Sequence, residues 1–92
     1  MSLQLQEEKL ARAISAFSRR EILRLLADEE LTVKDIAKKT NQSVSLASRH
    51  LKFLYDLGFL YVKVQSPHKF YSLKVKELKE LLTFYDKVIQ KI

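Results

Sequence analysis

The spacing of apolar residues along this 92-residue chain predicts a series of helices interrupted by one β-hairpin. Apolar residues recur at intervals of three and four over most of the chain, as in amphipathic helices, and alternate with polar residues in one short stretch. We expect the fold class to be mainly α with a small β-hairpin, and residues 1–92 to form one domain. The predicted elements are helices over 3–17 and 19–28, a helix-turn-helix over 32–56, a hairpin over 59–73 and a last helix over 75–92.

Polar residues mark the predicted starts of three helices. Ser18 can cap the second helix, because Glu21 follows it at the spacing of a capping box. Thr32 and Asp35 repeat that spacing at the start of the third helix, and Ser43 is a good cap for the fourth. The sequence therefore predicts where these helices begin.

A tight turn is predicted between the third and fourth helices. Asn41 tolerates the left-handed conformation of such a turn better than most residues with a side chain. Two short helices joined in this way form a helix-turn-helix, and its second helix commonly lies in the major groove of DNA. We call the helix that begins after Ser43 the reader helix.

The reader helix has an apolar and a polar side when its residues are placed at about 100° intervals. The residues predicted to face inward are Val44, Ala47, Leu51 and Leu54, and those on the opposite side are Ser45, Arg49, Lys52 and Asp56. Arg49 can donate to two acceptors of a guanine, and Lys52 can meet a phosphate. The alternative is an ordinary polar face that only contacts solvent.

The distribution of charge favours the nucleic-acid interpretation. The chain has 17 basic and 11 acidic residues, for a net charge of +6. Residues 31–75 contain eight of the basic but two of the acidic residues, so the whole excess lies in the helix-turn-helix and the segment after it. This concentration is typical of a phosphate-binding face.

The alternating segment predicts a hairpin directly after the reader helix. Leu60, Val62 and Val64 alternate with polar side chains, residues 66–68 form a turn, and 69–73 return as the second strand. Such a hairpin is a wing, whose cations can contact the DNA backbone or minor groove, although it can also merely close the core. The candidate DNA-binding residues of helix and wing are Gln42, Ser43, Ser45, Leu46, Ser48, Arg49, Lys52, Lys63, His68 and Lys69.

The last predicted helix has two apolar stripes. One runs through positions 75, 78, 82, 85, 89 and 92, and Leu81, Phe84 and Val88 form the other. Soluble proteins avoid exposing so much apolar surface, so we expect a homodimer, the alternative being that both stripes fold onto the same subunit. The predicted interface residues are Leu3, Leu10, Ile14, Leu78, Leu82, Tyr85 and Ile89.

These segments, taken in order, resemble the arsenic-repressor (ArsR) family of winged helix-turn-helix regulators over nearly the whole chain. The similar segments are SRREILRLL at 18–26, LTVKDIA at 31–37, the pattern SxSxxSRHLxxL at 43–54, DxGFL at 56–60 and FYSL at 70–73. The resemblance implies the order α1-α2-α3-α4-β-β-α5, a homodimer built on the first and last helices, and transcriptional repression by operator occupancy.

The chain departs from this family where metals are sensed. The family's thiolate sensor needs cysteines, and this sequence contains none, which also excludes disulfides and thiol redox sensing. Its other common sensor uses Asp and His ligands on the last helix, where Asp86 is present but no histidine. His50 and His68 cannot supply the three or four converging ligands of a transition-metal site. We expect no metal and no cofactor, with His50 a packing residue.

Other functional classes find little support. No nucleophile stands near a His–acid pair, so we do not expect an enzyme. No apolar run approaches membrane-spanning length and the first residues do not resemble a signal peptide, so we expect a cytoplasmic protein. The sequence predicts a sequence-specific double-stranded DNA-binding regulator, a repressor acting as a homodimer on a palindromic operator. The alternatives are a winged helix that binds proteins and a non-specific architectural DNA binder.

Overall fold

The computed structural model describes residues 2–92 as five helices and a two-stranded antiparallel hairpin. The elements are α1 Leu3–Ile14, α2 Phe17–Leu26, α3 Val33–Lys39, α4 Val44–Asp56, β1 Leu60–Gln65, β2 His68–Leu73 and α5 Glu77–Gln90. The predicted fold class is confirmed. The reader helix is α4, and we call the hairpin of β1 and β2 the wing.

Every helix and both strands contribute to one apolar core. Its buried members are Ala13, Ile22, Leu23, Leu26, Leu31, Ile36, Ala37, Ala47, Leu51, Leu54, Leu60, Leu73, Leu78 and Leu82. No charged or polar residue is buried in the part of the chain that the structure describes. Val44 was predicted to face inward with the core side of α4, but it is 47% exposed, because it begins the helix a turn before the first core residue.

The junction between α1 and α2 differs from the prediction of a longer first helix and a Ser18 cap. Ala16 precedes the first turn of α2 without a side-chain cap, and Ser18 lies within that turn. The guanidinium groups of Arg19 and Arg20 donate to the carbonyls of residues 12–14, at 2.7, 3.3 and 2.6 Å. These carbonyls end α1, so the two arginines stabilise the helix break that the capping pattern did not anticipate.

The wing is held to the helix-turn-helix by a short third strand segment. Leu31 exchanges two backbone hydrogen bonds with Tyr71 of β2, of 3.0 and 2.8 Å, just before α3 begins. Within the wing, Lys63 pairs with Phe70 and Val64 with Lys69. The turn is one residue shorter than predicted, because β2 already begins at His68. The wing therefore has a fixed position beside α3 and α4.

The two apolar stripes of α5 have different environments. Leu78 and Leu82 are 3% and 2% exposed, because this stripe packs on the chain's own core. Leu81, Phe84 and Val88 are 40%, 63% and 61% exposed. Leu78 and Leu82 therefore have almost no surface left for a second copy, and their assignment to a dimer interface is wrong. The stripe open to a partner is the other one.

The caps predicted for the helix-turn-helix are confirmed. The Thr32 hydroxyl accepts the backbone N–H of Asp35 at 3.3 Å, and the Ser43 hydroxyl accepts that of Leu46 at 3.1 Å. Asn41 has φ +54°, which is the left-handed conformation expected of the turn. The local sequence signals thus fix the start of α3, the turn and the start of the reader helix.

Gln42 completes the turn with a side chain that points inward. Its backbone N–H donates to the Ala37 carbonyl at 2.9 Å. Within residues 2–92, neither Oε1 nor Nε2 of its buried side-chain amide has a hydrogen-bond partner. A buried, unpaired amide destabilises the folded state by about 1–3 kcal/mol.

We therefore predict that Gln42→Leu stabilises the protein. The leucine has a similar volume and no polar group to desolvate, so the free energy of unfolding should rise by about 1–3 kcal/mol in urea denaturation at fixed protein concentration. Gln65→Leu, at the exposed end of β1, is the matched control and should change it by less than about 0.5 kcal/mol. Destabilisation by Gln42→Leu would show that the amide has a partner in solution.

Candidate nucleic-acid interface

The outward side of α4 carries most of the side chains predicted to contact DNA. Burial of Ala47, Leu51 and Leu54 sets the rotation of the helix. That rotation leaves one polar side open to solvent and Leu46 half-buried at its edge. The exposed predicted residues of this helix and its cap are Ser43, Ser45, Ser48, Arg49 and Lys52. Serine hydroxyls and two cations therefore share the open surface of α4 with the exposed side chains of Val44, Phe53 and Tyr55.

A groove of about 500 Å³ separates α4 from the wing. Its lining residues are Ser48, Lys52, Tyr55, Asp56, Val62, Val64, Lys69 and Tyr71. Lys69 of β2 thus faces the reader helix across the groove. The structure brings Ser48, Lys52 and Lys69 together, as the sequence predicted.

A second concave surface, of about 760 Å³, lies between α3 and the tip of the wing. It is lined by Thr32, Val33, Lys34, Asp35, Ser48, Pro67, His68, Lys69, Phe70 and Tyr71. Ser48 and Lys69 belong to both concavities, so one continuous surface joins α3, α4 and the wing. Lys34 joins this surface and was missed by the sequence-based candidates, since charge counting could not tell which lysine of α3 faces the wing.

Lys63 lies on the opposite face of the wing. Neighbouring strand residues point to opposite faces, and Val64 and Lys69 form the pair on the α4 side. Lys63 instead crosses the ring of Phe70, with Nζ 5.9 Å from the ring centre, and donates to Glu30 Oε1 at 2.9 Å. The expectation that Lys63 acts beside Lys69 is therefore wrong in geometry.

Some of the positive charge counted from the sequence is compensated by nearby acids. Lys39 Nζ lies 3.7 Å from a carboxylate oxygen of Glu29, which falls just outside the basic segment. Lys52 donates to Asp56 at 2.8 Å, a hydrogen bond that raises the pKa of the lysine. These exposed pairs are weak and can be exchanged for a phosphate.

Lys34 and Lys69 line the continuous surface, and Arg49 lies on the exposed side of α4 beside it. Across residues 2–92, Lys34, Arg49 and Lys69 form no ion pair with an acidic side chain. Each belongs to a different element, since α3, α4 and β2 carry one apiece. A polyanion that follows this surface would meet all three elements at once.

Gln42 does not contribute its side chain to this surface. Both polar atoms of its amide are buried behind the turn, so the prediction that it contacts DNA is wrong for the conformation seen here. The buried amide of Gln42 therefore lies where an apolar side chain could pack. Its place next to the Ser43 cap in the sequence could not show which way the amide points.

The two histidines lie in different environments. Burial lowers the pKa of His50, and the charges of Arg19 and Arg49 lower it further, so this imidazole is neutral at pH 7. His68 is exposed beside the wing turn, edge-on to Phe70 at 6.3 Å between ring centres. No group of three or more His, Cys, Asp or Glu side chains converges within the described residues. Asp86 is held by Arg24 at 2.6 Å.

None of the helices described in the structure has the length and apolar character required to cross a membrane. The continuous surface is formed by α3, α4 and the wing. Its shape is that of a helix-turn-helix flanked by a hairpin.

Comparison with known proteins also indicates a helix-turn-helix regulator. The family model described as "Bacterial regulatory protein, arsR family" matches residues 18–62. The transcriptional activator HlyU of Vibrio cholerae is 30% identical over 88 residues, covering 89% of this chain and 82% of HlyU.

Solved structures extend the likeness to the whole fold. Reduced HlyU from Vibrio cholerae superposes with a TM-score of 0.81 at 26% identity, covering 92% of this chain and 90% of that one. The homodimeric winged helix-turn-helix DNA-binding domain of Mb0332 from Mycobacterium bovis has a TM-score of 0.83 at 25% identity, covering 97% and 82% of the two chains. With its cationic reader helix and wing, this chain belongs to the arsR family of bacterial regulatory proteins, and it is a DNA-binding transcriptional regulator.

Proposed function

We propose that this regulator acts as a homodimeric repressor that reads a palindromic double-stranded operator without a metal ion. The observation that carries the proposal is the position of Arg49 on the open side of α4, beside a surface that also carries Lys34 and Lys69. An α-helix fits the major groove, where an arginine can distinguish guanine by two hydrogen bonds. The lysines on either side of α4 are suited to the flanking phosphates.

Dimerisation is supported by the uncovered apolar surface of the terminal helices. On α5 the open stripe is Leu81, Phe84 and Val88, and Leu3 at the start of α1 is 78% exposed. Ile89 is exposed as well, whereas Leu10, Ile14 and Tyr85 are half-buried, and Leu10 and Ile14 pack against the core. A two-fold dimer would bury this surface against itself and place two reader helices symmetrically. Mb0332, a structural relative, is homodimeric.

Metal-independent action is supported by the ion pairs that engage the acidic groups near the last helix. Asp86 of α5 is engaged by Arg24, and Asp28 by Lys79 at 2.8 Å. A metal ion that recruited either carboxylate would have to displace a basic side chain, and no third ligand converges there within the described residues.

Repression follows from where such a dimer would bind. Two reader helices on one face of the duplex cover the DNA between them, and other proteins are excluded from that segment. HlyU is named an activator, and the same surface can serve activation when the operator lies upstream of the promoter. We propose repression because an operator that overlaps the promoter needs only to be occupied, whereas activation also needs a contact with the transcription machinery.

The alternatives predict other surfaces. A winged helix that binds proteins should have an apolar or acidic outer side on α4. Leu46 and Phe53 agree with that alternative, but Arg49, Lys52 and the positive charge of the surrounding segment outweigh them. A non-specific architectural binder would share the cations but would not prefer one sequence. Specific regulators discriminate by about 10³ or more against random DNA, so the ratio of affinities separates the two.

We predict that Arg49→Ala and Lys69→Ala weaken DNA binding in different ways. Arg49→Ala should lower affinity for the preferred site by about 1–3 kcal/mol and relax preference at one position per half-site. Lys69→Ala should weaken binding to all sequences and reduce the salt slope by about one unit per subunit, because one counterion fewer is released. Fluorescence anisotropy at several salt concentrations measures both.

Lys63→Ala is the matched control for Lys69→Ala, since both lysines belong to the wing. Its ammonium group is held by Glu30 on the far face, so its removal should change the salt slope less than Lys69→Ala does. A uniform loss without change in sequence preference for Arg49→Ala would make Arg49 a phosphate contact and refute its role as the base reader.

We predict that Phe84→Glu converts the dimer to a monomer. The carboxylate would enter the open apolar stripe of α5 without disturbing the core, so sedimentation equilibrium should give a mass near 10.8 kDa rather than twice that value. Thr83→Glu adds the same charge on an exposed neighbour and should leave the dimer intact. Unmodified protein that is monomeric at micromolar concentration would contradict the dimer.

We predict that zinc, cadmium and nickel leave operator affinity unchanged at stoichiometric concentration. The reason is the lack of converging ligands in the described part of the chain. The measurement is operator binding by protein treated with chelator, before and after each metal is added. A loss of affinity that the chelator reverses would reveal a site, with His50 and His68 the first residues to replace.

A further inference from the structure

Arg19 makes a physical link between the end of α1 and the reader helix. Its Nη2 donates to the Arg12 carbonyl at 2.7 Å and to the Ser15 hydroxyl at 3.0 Å, and its Nε donates to the Ala13 carbonyl at 3.3 Å. The same guanidinium lies over the ring of Phe53 in α4, 4.6 Å from the ring centre. One side chain thus contacts both helices.

The chemistry of a guanidinium allows both contacts at once. Its donors point outward along the edge of the plane, whereas the face of the plane is free to stack on an aromatic ring. In Arg19 the donors meet the carbonyls at the end of α1, and the central carbon of the guanidinium lies over the ring of Phe53. A lysine has the charge but has neither the flat face nor the fork of donors.

Arg20 is a useful comparison, because it contacts the end of α1 but makes no recorded contact with the reader helix. It also donates to a carbonyl at the end of α1, that of Ile14, at 2.6 Å. Its guanidinium lies near the rings of Phe17 and Tyr85, at 5.9 and 5.2 Å from their centres. Those rings belong to α2 and α5, so Arg20 does not contact the reader helix through them.

We propose that Arg19 is a positioning residue for DNA recognition, which holds α4 at a fixed angle to α1 and so sets the spacing of the two half-sites that the dimer reads. The inference rests on the proposed homodimer. Because α1 belongs to the dimer surface and α4 to the DNA surface, their relative orientation determines the separation of the two reader helices. Arg19 and Phe53 supply a direct contact between them, and Phe53 lies one helical turn beyond Arg49 on α4.

Loss of this contact has a distinctive consequence. Each subunit keeps Arg49, Lys69 and the core that fixes the rotation of α4, so a single half-site is still bound. The dimer, however, becomes tolerant of changes in the separation between half-sites. A residue that only stabilised the fold would weaken every DNA equally and leave the spacing preference unchanged.

The test measures affinity for the operator with its own spacer, for operators with one base pair added or removed, and for an isolated half-site. For Arg19→Gln and Phe53→Leu, the preference for the correct spacer should fall by about threefold to tenfold, the range expected for loss of a cation–π contact. Half-site affinity should change little. Arg20→Gln is the control and should keep the full preference. Phe53→Leu leaves the end of α1 intact, so it carries the test if Arg19→Gln fails to fold.

A second measurement checks the contact without DNA. Arg19 is one of the charges that hold the pKa of His50 low, so Arg19→Gln should raise that pKa in an NMR titration, while Arg20→Gln should not. An unchanged His50 titration in Arg19→Gln would show that Arg19 does not lie at α4.

The results for the unmodified protein test the proposed pairing of half-sites, and the results for the variants test the role of Arg19. Unmodified protein that is indifferent to spacer length would overturn the paired half-sites, and the spacing role with them. Unmodified protein that prefers one spacer, with Arg19→Gln and Phe53→Leu preferring it equally, would overturn the role of Arg19 alone. Equal losses in Arg19→Gln and Arg20→Gln would reduce Arg19 to a stabiliser of the end of α1.

Discussion

Ala47, Leu51 and Leu54 of α4 pack into the core with no exposed surface, and this contact fixes which side of the reader helix faces outward. Everything that faces DNA depends on that rotation. A turn of the helix by one residue, about 100°, would bury Ser48 and point Arg49 in a different direction. Burial of the apolar side of α4 therefore fixes the direction in which its polar side points.

The sequence was most informative where a local interaction decides the structure. The Thr32 and Ser43 caps, the left-handed Asn41 and the alternation in the wing depend on neighbours within a few residues, and all were predictable. The start of α2 was not, because Arg19 and Arg20 satisfy the end of α1 from outside the helix. That long-range contact outcompetes a capping pattern at Ser18.

The remaining errors come from choices that only tertiary packing can make. Both stripes of α5 have helical spacing, so the sequence could not tell that Leu82 enters the core while Phe84 stays open. Lys63 lies on the far face of the wing, where its ammonium group donates to Glu30, a residue 33 positions away in the chain. Gln42 is polar and adjacent to good DNA contacts, yet its amide points inward. In each case the sequence shows the type of the residue but not the direction in which its side chain points.

The central claim is that two copies of this chain read one symmetric DNA sequence, each through the open side of α4. Selection of bound sequences from random double-stranded DNA with the purified protein tests it most directly. We expect an inverted repeat whose half-sites lie about one helical turn apart, or a multiple of it, on one face of the duplex. Enrichment of no motif, or of a single unpaired one, would contradict it.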